Sequence, residues 1–301
     1  MVEGRDHQAG PPPSPSPWPP PPSPATRPGL GEAVLLLLLM GITTMIAVTA
    51  LFLGDEQRDL DMLLMGILEV LAITLVLLVG VRRVGLPTKR VLGLRDVPLW
   101  LCLIAVPLAM AVGTVNSALE APVRNVMPIP EELLLELVTL LYPETTLDWV
   151  LILLPTALLV PVGEELLFRG LLLRGFLLRY GATPALALTS LLFALVHLNP
   201  WAFAGYFIVV WVLGWPVLRS GSGWPAIILH GTYNALAVIQ TKTLIDGPPT
   251  LESIRAASES WWDAPVTIVI SALALVLMVL LIESRSRQDH PWVIDEISFG
   301  R

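Results

Sequence analysis

One cysteine, Cys102, is the only thiol in this chain, so no disulfide framework can form within it. It stands in an apolar run without a histidine beside it, which marks it as a packing residue rather than a nucleophile. Charge is scarce as well: Asp, Glu, Lys and Arg make up 14% of 301 residues, against 54% hydrophobic ones. With a mean hydropathy of +0.73, that balance excludes an ordinary soluble domain and places the chain among polytopic membrane proteins. No basic patch stands out and the net charge is −7, which speaks against nucleic acid as a partner. The His-Glu-x-x-His spacing of zinc proteases is missing, so metal binding is not written in the sequence. The apolar runs are continuous rather than alternating, which disfavours barrel strands and predicts an all-α, polytopic transmembrane helical bundle.

What is abundant is proline at one end and leucine nearly everywhere else. Residues 1–32, with Pro11-Pro12-Pro13 and Pro19-Pro20-Pro21-Pro22, read as a disordered or polyproline II tail rather than a domain or a signal peptide. A transmembrane helical domain follows over 33–283, and 284–301 read as a polar C-terminal tail. About eight spans are expected, near Ala33–Leu53, Leu63–Val81, Pro98–Val115, Trp149–Leu173, Pro184–His197, Ala202–Leu218, Trp224–Ile239 and Pro265–Ile282. With both termini in the cytoplasm, fourteen of the 18 Lys and Arg fall on the cytoplasmic side or in the membrane next to it, as the positive-inside rule requires. Trp100, Trp149, Trp201, Trp224, Trp261 and Trp262 lie near span ends, where an interfacial belt would place them. Pro130–Leu141 carries Glu131, Glu132 and Glu136 among leucines and reads as an amphipathic helix on the outer surface.

Against this background the sequence Pro161-Val162-Gly163-Glu164-Glu165-Leu166-Leu167-Phe168-Arg169-Gly170 is anomalous, since a carboxylate in hydrocarbon is costly and marks a candidate site. Glu165 and Arg169 are four residues apart with the acid first, the order that favours an ion pair on one helix face. Glu164 is rotated by about 100° from its neighbour and lacks that partner. Pro155 and Pro161 withhold amides upstream, freeing carbonyls and predicting a kink near Glu164. Two further constellations repeat the four-residue spacing: Phe193-x-x-x-His197 and His230-x-x-x-Asn234. Glu69 interrupts the second span alone, and reads as helix glue or as a cavity-facing residue. Each group also has a plainer reading: the glutamates neutralising Arg169, and the histidines hydrogen-bonded between helices. Together, a carboxylate, two imidazoles and an amide suffice to activate water and stabilise an oxyanion. Glu164, His197 and His230 could equally ligate one divalent metal such as zinc, so a metal and a metal-free centre both stand.

In that order, Glu164-Glu165-x-x-x-Arg169, Phe193-x-x-x-His197 and His230-x-x-x-Asn234 resemble the three motifs of the CPBP family, which includes the CAAX prenyl endopeptidases and bacteriocin-processing and self-immunity proteins. The resemblance covers roughly Trp149 to Asn234 and implies a protease core over about 149–240. It implies an intramembrane endopeptidase, glutamate-type or metal-dependent, acting on a membrane-bound or lipidated protein or peptide. Glu164 with His197 would activate the water, His230 and Asn234 would stabilise the oxyanion, and Glu165 with Arg169 would hold the architecture. The bilayer is then the protein's environment, and the inner membrane its location in a bacterium. The alternative is a catalytically silent scaffold or bacteriocin-immunity protein; a proton-coupled transporter is disfavoured because the spans show no inverted repeat. One geometric difficulty remains at this level. Glu164 lies about 22 Å along its span, whereas His197 ends a short one, so the turn at Asn199-Pro200 is expected inside the protein, short of the outer surface.

Overall fold

Long apolar runs become helices because lipid offers a backbone amide no partner outside its own chain. The computed structural model of the chain describes residues 27–52, 61–84, 88–258 and 265–289, and every regular element among them is helical. In chain order these are α1 (Leu30–Phe52), α2 (Asp61–Val84), α3 (Thr88–Leu92), α4 (Leu99–Leu103), α5 (Ala105–Val126), α6 (Glu131–Leu140), α7 (Thr146–Tyr180), α8 (Ala182–Val196), α9 (Phe203–Ser220), α10 (Trp224–Leu244), α11 (Leu251–Ser258) and α12 (Pro265–Asp289). The proline-rich block up to residue 26 lies outside the described residues, as do Trp261, Trp262 and residues 290–301. Arg27 is buried and donates to Val91 O at 3.4 Å, and α1 begins at Leu30.

Where eight spans are expected, four helices among the described residues are long and apolar enough to cross a membrane: Leu63–Val84, Leu99–Val126, Thr146–Tyr180 and Phe203–Ser220. Leu30–Met45, Ala182–Val196 and Ile268–Ser284 are apolar but shorter. At about 1.5 Å per residue α8 extends only ~22 Å, short of a ~30 Å hydrocarbon core. α10 has the length but carries His230, Thr232, Asn234, Gln240 and Lys242 along it. The chain is an integral membrane protein whose helices differ widely in how much lipid they can span.

α7 is the central element. A capping box starts it: Thr145 Oγ1 accepts from Asp148 N–H at 3.3 Å, and the Asp148 carboxylate accepts from Thr145 N–H at 2.7 Å. Gly181, at φ 79°, ends it in a conformation that side chains rarely adopt. Between these limits Leu167, Phe168, Leu171, Leu172 and Leu173 are fully enclosed, with α2, α3 and α8 packed around them.

The two ends of the bundle differ in chemistry. At one end Arg179 donates to Arg27 O (2.6 Å), Arg174 to Gly221 O (2.6 Å) and Ser222 Oγ to Arg95 O (2.6 Å). Arg83 pairs with Glu32 at 2.5 Å and Arg219 with Glu283 at 2.6 Å, so the arginines gather on this face. At the other end α6 packs on α11: Leu134, Leu135 and Val138 meet Ile254 and Ala257, and Glu131 pairs with Arg255. Lys242 donates to Tyr142 Oη there at 2.7 Å. The amphipathic segment thus has a partner helix on its apolar face.

Candidate active site

The site is built where α7 stops being an ordinary α-helix. Val160 N–H reaches back five residues to Pro155 O, and Leu173 N–H does the same to Phe168 O. These mark two π-helical stretches, Leu154–Leu159 and Leu166–Leu172, and the short α-helical piece between them, Val160–Glu165, carries both glutamates. Proline supplies the cause. The α-helical partner of Thr156 O would be Val160 N–H, which is committed to Pro155 O. The partner five residues on is Pro161, which has no N–H. Thr156 O is left without a backbone donor, and Asn234 Nδ2 donates to it at 2.8 Å. Gly231 lets α10 come this close, because a Cβ there would strike Ala157 O.

That clasp turns α10 so that His230 faces the glutamates. His230 Nδ1 lies 2.9 Å from Glu165 Oε1, and since a carboxylate only accepts, Nδ1 carries the proton. Arg169 Nη1 lies 2.9 Å from the same oxygen, and its Nη2 donates to Val210 O at 3.3 Å. Glu165 and Arg169 are each about 1% exposed, so the ion pair is out of solvent. Glu164, 4% exposed, points elsewhere. Its Oε2 lies 3.7 Å from His230 Nε2, and its Oε1 lies 3.7 Å from His197 Nε2. His197 Nδ1 donates to Phe193 O at 2.8 Å, which fixes that ring as well. Both imidazoles are therefore anchored through Nδ1 and present Nε2 to opposite oxygens of one carboxylate. Phe193 stacks on His197 at 4.4 Å and stands edge-on to His230 at 5.9 Å, while Tyr206 covers the other flank of His197 at 4.6 Å.

The structure thus brings together Glu164, Glu165, Arg169, His197 and His230. Asn234 lies on the same helix face as His230 but spends an amide N–H on Thr156 O of α7. Asn234→Ala should lower stability by about 1 kcal/mol, the scale of hydrogen bonds between membrane helices, read as a lower unfolding temperature in detergent. An unchanged temperature would mean that Thr156 O has another donor. The turn between α8 and α9 departs from expectation. Asn199 is half-buried, with Oδ1 accepting from Ala202 N–H at 3.1 Å, but Pro200 is exposed and Leu198, at φ 49°, is 87% exposed. Protein does not enclose this turn, and α8 is short enough that His197, at its end, stands 3.7 Å from Glu164.

Sequence reasoning left two neighbours unplaced. Glu69 on α2 lies within electrostatic range of His197 and Glu164. On α5, Asn116 Nδ2 donates to Glu120 Oε1 (2.7 Å) and to Tyr233 Oη (3.0 Å), extending polar contacts from α10 toward the α6 end. Each was visible only as a polar residue in an apolar run. Among the described residues no group of three or more His, Cys, Asp or Glu side chains is arranged to hold a metal ion, so the geometry does not fit the metal-centre reading. Cys102 is half-buried on α4.

Comparison with known families adds one finding. Residues 146–236 match the family described as type II CAAX prenyl endopeptidase Rce1-like, from the first residue of α7 to two residues beyond Asn234. No curated protein and no solved structure matched the chain.

Proposed function

We propose, from the match of residues 146–236 to this protease family, that the chain is an intramembrane endopeptidase acting on a membrane-associated substrate of the prenylated CAAX class. The observation that carries the reading is the convergence of two anchored imidazoles on Glu164, a carboxylate that no lysine or arginine pairs with among the described residues. Lone pairs 3.7 Å apart repel unless a proton or a water lies between them. A water at ordinary hydrogen-bond length from both atoms fits such a spacing by standing off the line that joins them.

In this reading Glu164 and His197 share the attacking water. Its proton moves onto that pair as its oxygen bonds the scissile carbonyl carbon. Negative charge collects on the carbonyl oxygen, where His230, held by Glu165 through Nδ1–H, donates through Nε2–H in its doubly protonated form. The remaining N–H of Asn234 is available to the same oxygen. The proton then passes to the leaving amine, the C–N bond breaks, and an acid and an amine remain. Arg169 neutralises Glu165 and takes no part in the transfers. The arginine-rich end of the bundle supports a cytoplasmic placement of that face, and with it of both termini across eight membrane-crossing helices.

The test is cleavage in liposomes of a prenylated CAAX-type peptide and of the same peptide without its lipid, with fragments identified by mass. The lipidated peptide should be cut at least about tenfold faster at equal bulk concentration, because the lipid concentrates it at the bilayer. Equal rates would sink the lipidated class, and failure to cut any membrane-anchored peptide would sink the protease.

A further inference from the structure

α2 runs parallel to α7 along a close seam. A Cβ at Gly66 would strike the Pro155 ring, Ile73 lies against Gly163, and a Cβ at Gly80 would strike Leu171. Positions 66, 73 and 80 thus meet 155, 163 and 171 in register. Steps of seven keep one helix face toward one neighbour, and Glu69, three residues after Gly66, belongs to that face. The register sets Glu69 level with Leu158 and Leu159, about a turn and a half before Glu164 on α7. Side chains on both helices lean toward their N-termini, so the two carboxylates lean the same way. Glu69 is half-buried and has neither a hydrogen bond nor an ion pair with another described residue. Its charge is nevertheless close enough to act on both His197 and Glu164.

A glutamate kept as glue between helices needs a donor to bind, and this one has none among the described residues. We infer that Glu69 is a positioning residue of the reaction centre: its negative charge, carried on α2, stabilises the positive charge that His197 acquires as the water's proton moves onto the Glu164–His197 pair. The inference rests on the peptidase reading above. It assigns α2, which lies outside the Rce1-like match, a part in the chemistry. It also separates the three carboxylates by task. Glu165 is neutralised by Arg169, Glu164 meets the water, and Glu69 supplies field without contact.

Glu69→Gln keeps the shape and removes the charge. It should lower kcat by about tenfold to fiftyfold, the effect of a unit charge several ångströms from a charge formed out of solvent, while KM stays within about twofold. Glu69→Asp should recover part of the loss. Glu69→Leu, assayed in the same detergent, should unfold at the wild-type temperature or above, since a carboxylate held near an active centre costs stability rather than adding it. Wild-type kcat in Glu69→Gln would overturn the inference, as would a kcat loss that merely tracks a lowered unfolding temperature. Should the wild-type protein cut no peptide, the protease reading fails by itself. The unfolding temperature of Glu69→Leu then still decides: a fall makes Glu69 a structural tie and overturns the inference, and no fall supports a charge kept for a site.

Discussion

Glu164→Gln should abolish proteolysis, lowering kcat by about three to four orders of magnitude, with the helix content and unfolding temperature of the protein preserved. The size follows from what the side chain does. A positioned general base contributes about 10²–10⁴-fold, and the amide that replaces it cannot accept the water's proton. The fold is spared because Glu164 is not tied to it: its two oxygens stand 3.7 Å from His197 and His230, beyond hydrogen-bond length. The measurement is cleavage of a membrane-anchored peptide beside thermal unfolding of the same preparation. A protein that keeps cutting at a tenth of the normal rate would remove Glu164 from the chemistry. The same variant, if it binds without cutting, would trap the natural substrate in native membranes.

Arg169→Met should do the opposite, destabilising first and inactivating as a result. Arg169 and Glu165 are enclosed to about 1% exposure, and removal of the cation leaves Glu165 charged without its partner. Breaking a buried pair from one side costs about 3–5 kcal/mol, a large part of the stability of most proteins. Unfolding temperature and yield of folded protein read that loss directly. The double variant Glu165→Leu/Arg169→Met should recover most of the stability, because replacing both charges with apolar groups is often close to neutral. It should not recover cleavage. Glu165 Oε1 is also the acceptor that holds His230 Nδ1–H at 2.9 Å, so the double variant leaves that imidazole unanchored and kcat about a hundredfold down. Should the double variant cut at the wild-type rate, His230 would need no anchor and the division of labour between the adjacent glutamates would be wrong.

That division was legible in the sequence because it depends only on local geometry. Adjacent positions on a helix diverge by about 100° and positions four apart align, which is why Glu165 meets Arg169 and Phe193 stacks on His197. That the helix would be irregular here was legible too, since Pro155 and Pro161 cannot donate. Which carbonyl it would free was not. Thr156 O is orphaned only because Val160 N–H slips to Pro155 O, a choice between α and π pairing made by the packed bundle. The spacing of Asn234 from His230 therefore gave no sign of its tie to Thr156 O. Glu69 was illegible for a different reason. Its place depends on the register of α2 against α7, and no spacing within either segment carries that register. Span length marks the limit in the other direction: the fifth apolar run is visibly short, but only the fold shows that α8 can end at the level of the glutamates without a turn enclosed by protein.

The proline break also orders events during biosynthesis. Thr156 and Asn234 lie 78 residues apart, so α7 is made and inserted well before the segment that satisfies its stranded carbonyl exists. Until then that oxygen sits unpaired in a medium that penalises it by several kcal/mol, and His230 has yet to be synthesised. Assembly of the reaction centre is therefore a late step in which one nascent helix completes another. A chain cut short before α10 would carry two glutamates in lipid and no means of using them.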